Sequence, residues 1–354
     1  MMLTPIRQAL LSWFTANARD MAWRSDPTPW HVWVSEIMLQ QTRVESVHHY
    51  FARFMSRFPT PEHVAKAPIE DVLDAWAGLG YYSRARNLHH ACTTITEEFD
   101  GVIPSEPARF GALKGVGRYT CGAVMSIAFG RAEPIVDGNV ERVFSRLFLV
   151  EENVRTTAAK KRFWSLASEF IEDLPSDQAP GDLNQAIMEL GALVCKPKSP
   201  NCVECPLQSH CDAYAVGKTR ELPIKSKPAP KRKVRMRAHI CTDHHGGIWV
   251  VRRPSTGLLA GLWSLPMREV CDEETFALTT PPDLQIKHAF THLIWQLDVY
   301  RADEPTQEAE DWWGDSAVAM SVEDLALVAL GGPSLKALIA SGVGLPKRRG
   351  SGTK

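Results

Sequence analysis

Two carboxylates have neighbours that set them apart for chemistry. Glu36 stands in "SEIMLQQT" (residues 35–42), a stretch otherwise apolar or amide-bearing. On a helix it has Val32 and Trp33 one turn before it and Leu39 and Gln40 one turn after. Burial among such side chains disfavours the charged form, so this acid is expected to hold a proton near neutral pH. Asp137, in "PIVDGNVERVF" (residues 134–144), stands where it would cap the helix that follows. A carboxylate at a helix N-terminus is expected to have a lowered pKa and to stay ionised. One protonated and one ionised carboxyl form the pair that breaks a glycosidic bond: the first protonates the leaving group and the second supports an oxocarbenium-like sugar. Each also admits a plainer role, Glu36 as a half-exposed acid on an amphipathic helix and Asp137 as a cap alone.

Four of the eight cysteines, Cys195, Cys202, Cys205 and Cys211, fall within 17 residues in "CKPKSPNCVECPLQSHC". Thiolates spaced C-x6-C-x2-C-x5-C can close one tetrahedral metal site or hold the corners of a [4Fe–4S] cluster. The spacing alone leaves zinc and iron–sulfur both open. Lys196 and Lys198 lie inside the loop, which suits a structural clip beside a phosphate backbone, and a redox role stays open too. Such clustering in a chain read as intracellular points to metal rather than to a disulfide framework.

A third feature is "FGALKGVGRYTCGAV" (residues 110–124). A short helix is expected to run to Leu113, Gly115-Val116-Gly117 to turn, and a new helix to begin near Tyr119. The glycines permit close backbone approach, and the free N–H groups of the new helix can hold a DNA phosphate without reading sequence. An ordinary helix–helix connection is the alternative.

These groups must be positioned by helices. Val44, Val47, Phe51, Phe54 and Phe58 keep a helical period, as do Ile69, Val72, Leu73 and Trp76, then Leu88, Cys92, Ile95 and Phe99. Further helices are expected over 140–148, 163–171 and 183–194, and strands are missing, so residues 1–217 read as an all-α domain. "KTRELPIKSKPAPKRKVRMR" (218–237) reads as a basic, Pro-rich linker, either lying along a polyanion or merely solvated. After it the period becomes two: Leu293, Trp295, Leu297 and Val299 alternate with Ile294, Gln296 and Asp298. "DHHGG" reads as a hairpin turn, and "SVEDLALVAL" and "PSLKALIA" as short helices. Residues 238–345 thus form a smaller α+β domain, followed by a basic tail over 346–354. The 354 residues carry a formal charge of −1, so nucleic-acid affinity must come from local patches or backbone amides. With no secretory signal and no run near the ~20 apolar residues of a membrane span, a soluble cytoplasmic monomer is expected.

Taken in order, "SEIMLQQT", "GLGYYSRARNLH", "LKGVGRYT", "VDGNV", "LNQAIMELGALVC" and the four-cysteine loop closely resemble the adenine DNA glycosylases of the MutY family. The match is dense over residues 20–215 and sparser through "RRPSTGLLAGLWSLP" and "HAFTH". The resemblance implies a helix-hairpin-helix glycosylase domain that removes adenine mispaired with 8-oxoguanine or guanine in double-stranded DNA. It implies Glu36 as the general acid at adenine N7, Asp137 as the carboxylate facing the cationic sugar, Asn139 as its orienter, and Tyr119 as an active-site side chain. Trp23 and Arg24 would flank the adenine pocket, and Gln40 would be a further substrate- or DNA-binding residue. Gln41 and Tyr81 would wedge into the duplex, as base flipping needs. Lys114, Gly115, Val116 and Gly117 would hold the backbone, and Cys195, Cys202, Cys205 and Cys211 one [4Fe–4S] cluster.

The second domain resembles the family's Nudix-like 8-oxoguanine recognition domain, with Phe290, Thr291 and His292 in the place of its Phe-Ser-His loop. "REVCDEE" (268–274) lacks the glycine and glutamate that should precede a Nudix hydrolase box, so it reads as a chance match at a helix start. Lys114 and Ala22 stand where the family usually shows Pro, and Thr291 adds a methyl. Tyr119 occupies the place of the amine nucleophile of bifunctional relatives such as endonuclease III, which implies a monofunctional enzyme. The alternatives are an endonuclease III-like glycosylase/lyase and a non-catalytic iron–sulfur DNA-binding protein.

Overall fold

A computed structural model of the chain describes residues 3–175, 178–270, 281–313 and 316–346. The tail beyond residue 346 and the 271–274 end of "REVCDEE" lie outside the described residues. The chain forms two compact units, Met1–Lys66 with Asn87–Pro228, and Ala67–Arg86 with Ala229–Lys354. Residues 67–86 therefore group with the second unit, although they fall inside what the sequence reads as one continuous domain.

Helices α1 (Thr4–Asn17), α2 (Ala22–Ser25), α3 (Pro29–Leu39), α4 (Val44–Arg57) and α5 (Pro61–Lys66) open the chain. They are followed by α6 (Ile69–Trp76), α7 (Ser83–Glu98), α8 (Pro107–Gly111), α9 (Arg118–Ile127) and α10 (Gly138–Leu147). Then come α11 (Thr157–Ile171), α12 (Pro180–Leu193) and α13 (Asp212–Ala215). Short 3-10 turns at Cys202–Glu204 and Gln208–His210 carry the cysteine loop. No helix among the described residues is long and apolar enough to cross a membrane.

The local signals explain the helix starts. Thr28 caps α3 by accepting from the His31 N–H, with Pro29 at the first helical position. Every residue of α3 from Val32 to Met38 is buried, so this is a core helix with no solvent face. Helix α12 starts on Pro180, and α11 is capped by Thr156, whose hydroxyl accepts from the Ala159 N–H at 3.2 Å. Val140, Phe144 and Leu147 of α10 pack with Leu183, Ile187 and Leu190 of α12, Phe163 of α11 and Leu10 of α1 in one core.

The presumed linker is anchored over its first half. The Leu222 carbonyl accepts from Arg146 Nε at 2.9 Å, the Ile224 carbonyl from the Val154 N–H at 3.1 Å, and Lys218 pairs with Glu151 at 2.6 Å. Leu222 is buried, so a free tether is the wrong picture for 218–226.

The second unit is built on strands β1 (Arg232–Cys241), β2 (Ile248–Arg252), β3 (Trp263–Ser264), β4 (Met267–Glu269), β5 (Leu284–Ala289), β6 (Leu293–Ala302) and β7 (Ala317–Met320). One sheet has the order β4-β1-β6-β5 with β1 and β6 parallel, and the other has the order β3-β2-β7. Val234, Met236, Ala238 and Ile240 of β1 share a core with Trp295, Leu297 and Val299 of β6, the period of two read from sequence. The "DHHGG" turn is present and closed by Asp243, whose Oδ1 accepts from the His245 and Gly247 N–H groups. Its flanking strands part into different sheets and share only the Thr242–Ile248 bridge. Helices Val322–Leu327 and Gly332–Ala340 lie where the sequence places them.

Candidate active site

Helices α2, α3, α9, α10 and α12 surround a cavity of about 500 Å³ in the first unit. Eight of the residues read from sequence line it: Glu36, Asp137, Asn139, Tyr119, Trp23, Arg24, Gln40 and Gln41. Glu36 is 6% exposed. Tyr119, at the first turn of α9, donates its hydroxyl proton to Glu36 Oε2 at 2.5 Å. Burial pushes the Glu36 carboxyl up to about 7; the Tyr119 hydrogen bond opposes this, the nearby Asp137 charge adds to it, and Arg24 opposes it. The greasy face of α3 thus keeps a proton on Glu36, as its neighbours predict.

Asp137 caps α10. Its Oδ1 accepts from the N–H groups of Val140 at 2.7 Å and Asn139 at 2.9 Å, and its Oδ2 from Asn139 Nδ2 at 2.8 Å. Capping alone predicts a lowered pKa, and here the direction is reversed. Burial raises it, and the cap bonds, the Asn139 amide and Arg142 only partly offset that rise. The sequence shows the cap and cannot show how deeply α10 is buried.

Three residues of this site have no obvious sequence signal. Glu189 of α12 binds both Arg19 (Nε to Oε1, 2.8 Å) and Arg24 (NH2 to Oε2, 3.1 Å) on the cavity wall. Burial pushes Glu189 up, but the hydrogen bonds from Arg19 and Arg24 outweigh it and hold the carboxyl at about 2. Gln185 accepts from Arg24 Nε at 3.0 Å. Arg142 donates to Asn139 Oδ1 and the Gly191 carbonyl, both at 2.8 Å, and to the Cys195 carbonyl at 2.7 Å. The only sequence clue to Glu189 is its place inside "LNQAIMELGALVC".

Among the remaining residues, Gly115 sits at φ 84°, and a Cβ there would lie 2.5 Å from Asn87 Cβ, so the hairpin requires glycine. Gly117 is the N-cap of α9, Val116 is buried and Lys114 is exposed. Gln41 and Tyr81 are exposed and held at φ 59° and φ 48°, the left-handed region that non-glycine residues seldom occupy. Tyr81 belongs to the second unit, as do Phe290, Thr291 and His292 at the β5–β6 tip. Thr291 and His292 are exposed, while Phe290 packs on Trp295 with ring centroids 4.9 Å apart.

Cys195, Cys202, Cys205 and Cys211 line one pocket with the buried Arg146. Arg146 donates to Cys195 Sγ at 3.2 Å and to the carbonyls of Lys196 and Pro197 at 2.8 and 3.0 Å. Among the described residues no three His, Cys, Asp or Glu side chains gather as the ligands of a single ion do. Four soft donors sharing one pocket beside a guanidinium that donates to sulfur are a donor set that fits an anionic iron–sulfur group.

Residues 34–169 match the HhH-GPD superfamily base excision DNA repair protein family. Residues 195–211 match the iron-sulfur binding domain of endonuclease III, and 237–340 the NUDIX domain. The adenine DNA glycosylase of Buchnera aphidicola subsp. Acyrthosiphon pisum (strain APS) is 30% identical over 302 residues, 82% of this chain and 84% of that one. The chain belongs to the adenine DNA glycosylase family. The Arabidopsis thaliana and Homo sapiens members are each 36% identical, over 76% and 75% of this chain. Against those two the chain spans about half of the relative, 49% and 57% of their lengths. The solved structure of a thermostable thymine-DNA glycosylase superposes with a TM-score of 0.55 at 27% identity, covering 60% of this chain and 97% of that one. A non-covalent endonuclease III–DNA complex superposes at 0.51 with 23% identity, which shows a shared fold. In this chain the helical part is followed by a Nudix-like part with its own sheets.

Proposed function

We propose that this chain is a monofunctional adenine DNA glycosylase of base-excision repair, acting on adenine opposite 8-oxoguanine or guanine in double-stranded DNA. The observation that carries the reading is Glu36 kept protonated by burial in a cavity that Asp137 also lines. The flipped adenine enters between Trp23, Arg24 and Glu36. Glu36 gives its proton to N7, the C1′–N9 bond breaks with its electron pair passing to the base, and the sugar becomes cationic at C1′. Asp137, fixed by its two backbone hydrogen bonds and the Asn139 amide, faces that charge. Water adds at C1′ and passes its proton to the Glu36 carboxylate, which restores the acid and leaves an abasic site. Tyr119 carries no amine and its proton is committed to Glu36, so no Schiff base forms and the strand stays intact.

Gln41 and Tyr81 serve as duplex wedges, which their exposure and left-handed backbone support. The hairpin at Lys114–Gly117 holds a phosphate, and the Phe290–His292 tip reads the 8-oxoguanine strand. The four cysteines hold one [4Fe–4S] cluster, which braces the loop between α12 and α13. The enzyme works as a cytoplasmic, DNA-associated monomer. To test the reading, base release is measured on duplexes holding adenine opposite 8-oxoguanine, guanine or thymine, with and without alkali. Alkali-dependent strand breaks confined to the first two duplexes support it. Breaks at full yield without alkali overturn the monofunctional assignment, and binding without release overturns the enzyme.

A further inference from the structure

We propose that Gly191 is a positioning residue for base excision: the missing side chain at 191 lets α12 press Asn139 against Asp137. This rests on Asp137 being the carboxylate that faces the sugar. A Cβ at 191 would lie 2.7 Å from Asn139 Cβ, closer than side chains tolerate, and 3.2 Å from its Cα, a tight contact. The obstacle is the first side-chain carbon of Asn139, which no rotamer change can move aside.

Asn139 is gripped from two further directions. Its backbone N–H and Nδ2 both donate to Asp137, at 2.9 and 2.8 Å. Its Oδ1 accepts from the Arg142 nitrogen that also donates to the Gly191 carbonyl. Position 191 therefore acts twice, by leaving room for Asn139 and by offering an oxygen to the guanidinium that orients it. Any side chain at 191 pushes Asn139 off α12 and stretches its amide away from Asp137. Gly181, on the same helix, is equally crowded, but a Cβ there would meet Ile127 Cα and the Ser126 carbonyl. It serves as the control for crowding alone.

Asp137 is acted on by Val140, Asn139 and Arg142 of α10, and its charge is felt by Glu36 from α3, Tyr119 from α9, and Glu141 and Arg142 from α10. None of them is altered by a methyl at 191 except through Asn139 and Arg142. Losing the Asn139 donor weakens one of the interactions that oppose the effect of burial on Asp137, so the ionised form is then reached at higher pH.

The test is single-turnover adenine release across pH from a duplex with adenine opposite 8-oxoguanine, alongside duplex affinity and melting temperature. The proteins are wild type, Gly191→Ala, Gly181→Ala, Asn139→Gly and the Asn139→Gly/Gly191→Ala double variant. The expected Gly191→Ala protein binds duplex like wild type and releases adenine ~100-fold more slowly, the order of loss for a misplaced reacting group. Its acid limb moves to higher pH, while Gly181→Ala melts lower with the limb unmoved. In the Asn139→Gly background Gly191→Ala adds no further loss. An unchanged rate and profile in Gly191→Ala, or losses that simply add in the double variant, overturn the proposal. If Gly191→Ala does not fold, the double variant decides: it folds like Asn139→Gly if the Asn139 Cβ is the obstacle, and failure to do so overturns the proposal. A wild type that releases no adenine removes the functional reading and the proposal with it, whereas an active wild type beside an unaffected Gly191→Ala removes the proposal alone.

Discussion

The Tyr119 hydroxyl donates a 2.5 Å hydrogen bond to Glu36 Oε2, inside a cavity whose burial otherwise keeps the Glu36 proton in place. The two influences oppose each other, and burial is the larger. Tyr119→Phe removes only the donor that favours the ionised form. The Glu36 pKa then rises from about 7, and the basic limb of the single-turnover rate profile moves to higher pH. A pH series of adenine release on both proteins checks this, and a limb that stays or moves down contradicts it.

The same burial makes Glu36 a stability liability at neutral pH. Its folded value of about 7 lies above the ordinary 4.5, so the folded state binds the extra proton between those limits. Stability therefore falls as pH rises from 4.5 to about 7 and is flat beyond. The gap corresponds to ~3 kcal/mol at the plateau. Glu36→Gln is expected to melt higher than wild type above pH 7, with the advantage vanishing toward 4.5. Calorimetric scans at several pH values measure it; an equal or lower melting point for Glu36→Gln above neutrality contradicts it.

Glu189 behaves in the opposite sense. Its carboxyl, held at about 2 by Arg19 and Arg24, contributes stability above the ordinary 4.5 that is lost as pH falls toward 2. Glu189→Gln leaves two guanidiniums short of their partner. Breaking a buried pair costs ~3–5 kcal/mol, discounted to ~2 because the Arg19 side chain is 31% exposed. Denaturant titration at neutral pH and near pH 3 checks the sign: the deficit of the variant should shrink in acid.

Arg146 ties the cysteine loop to α10 and to the anchored start of the linker through Cys195, Lys196, Pro197 and Leu222. Arg146→Gln orphans several buried acceptors at ~1–3 kcal/mol each. The expected result is a lower melting temperature together with a lower iron-to-protein ratio and weaker visible absorption. Full iron content at wild-type stability contradicts the role.

What the sequence discloses is what short spacing encodes. The all-apolar face of α3 around Glu36, the Gly115–Gly117 turn and the four-cysteine loop are each set by residues a few positions apart. The rest depends on contacts across long separations. Glu189 meets Arg19 across 170 residues and Arg142 meets the Cys195 carbonyl across 53, and no local pattern reports such pairs. The Asp137 cap is visible in sequence, but the burial that reverses its pKa shift comes from the packing of α10 on α12. Likewise the basic composition of 218–226 hides the apolar Leu222 and the carbonyls that dock it.

The most direct test of the account is adenine release by wild type and Glu36→Gln, side by side, from a duplex with adenine opposite 8-oxoguanine, with alkali added afterwards. The account predicts that wild type yields alkali-labile sites, while Glu36→Gln binds the duplex with similar affinity and leaves it intact. A Glu36→Gln protein that releases adenine at the wild-type rate contradicts the assignment of Glu36 as the acid.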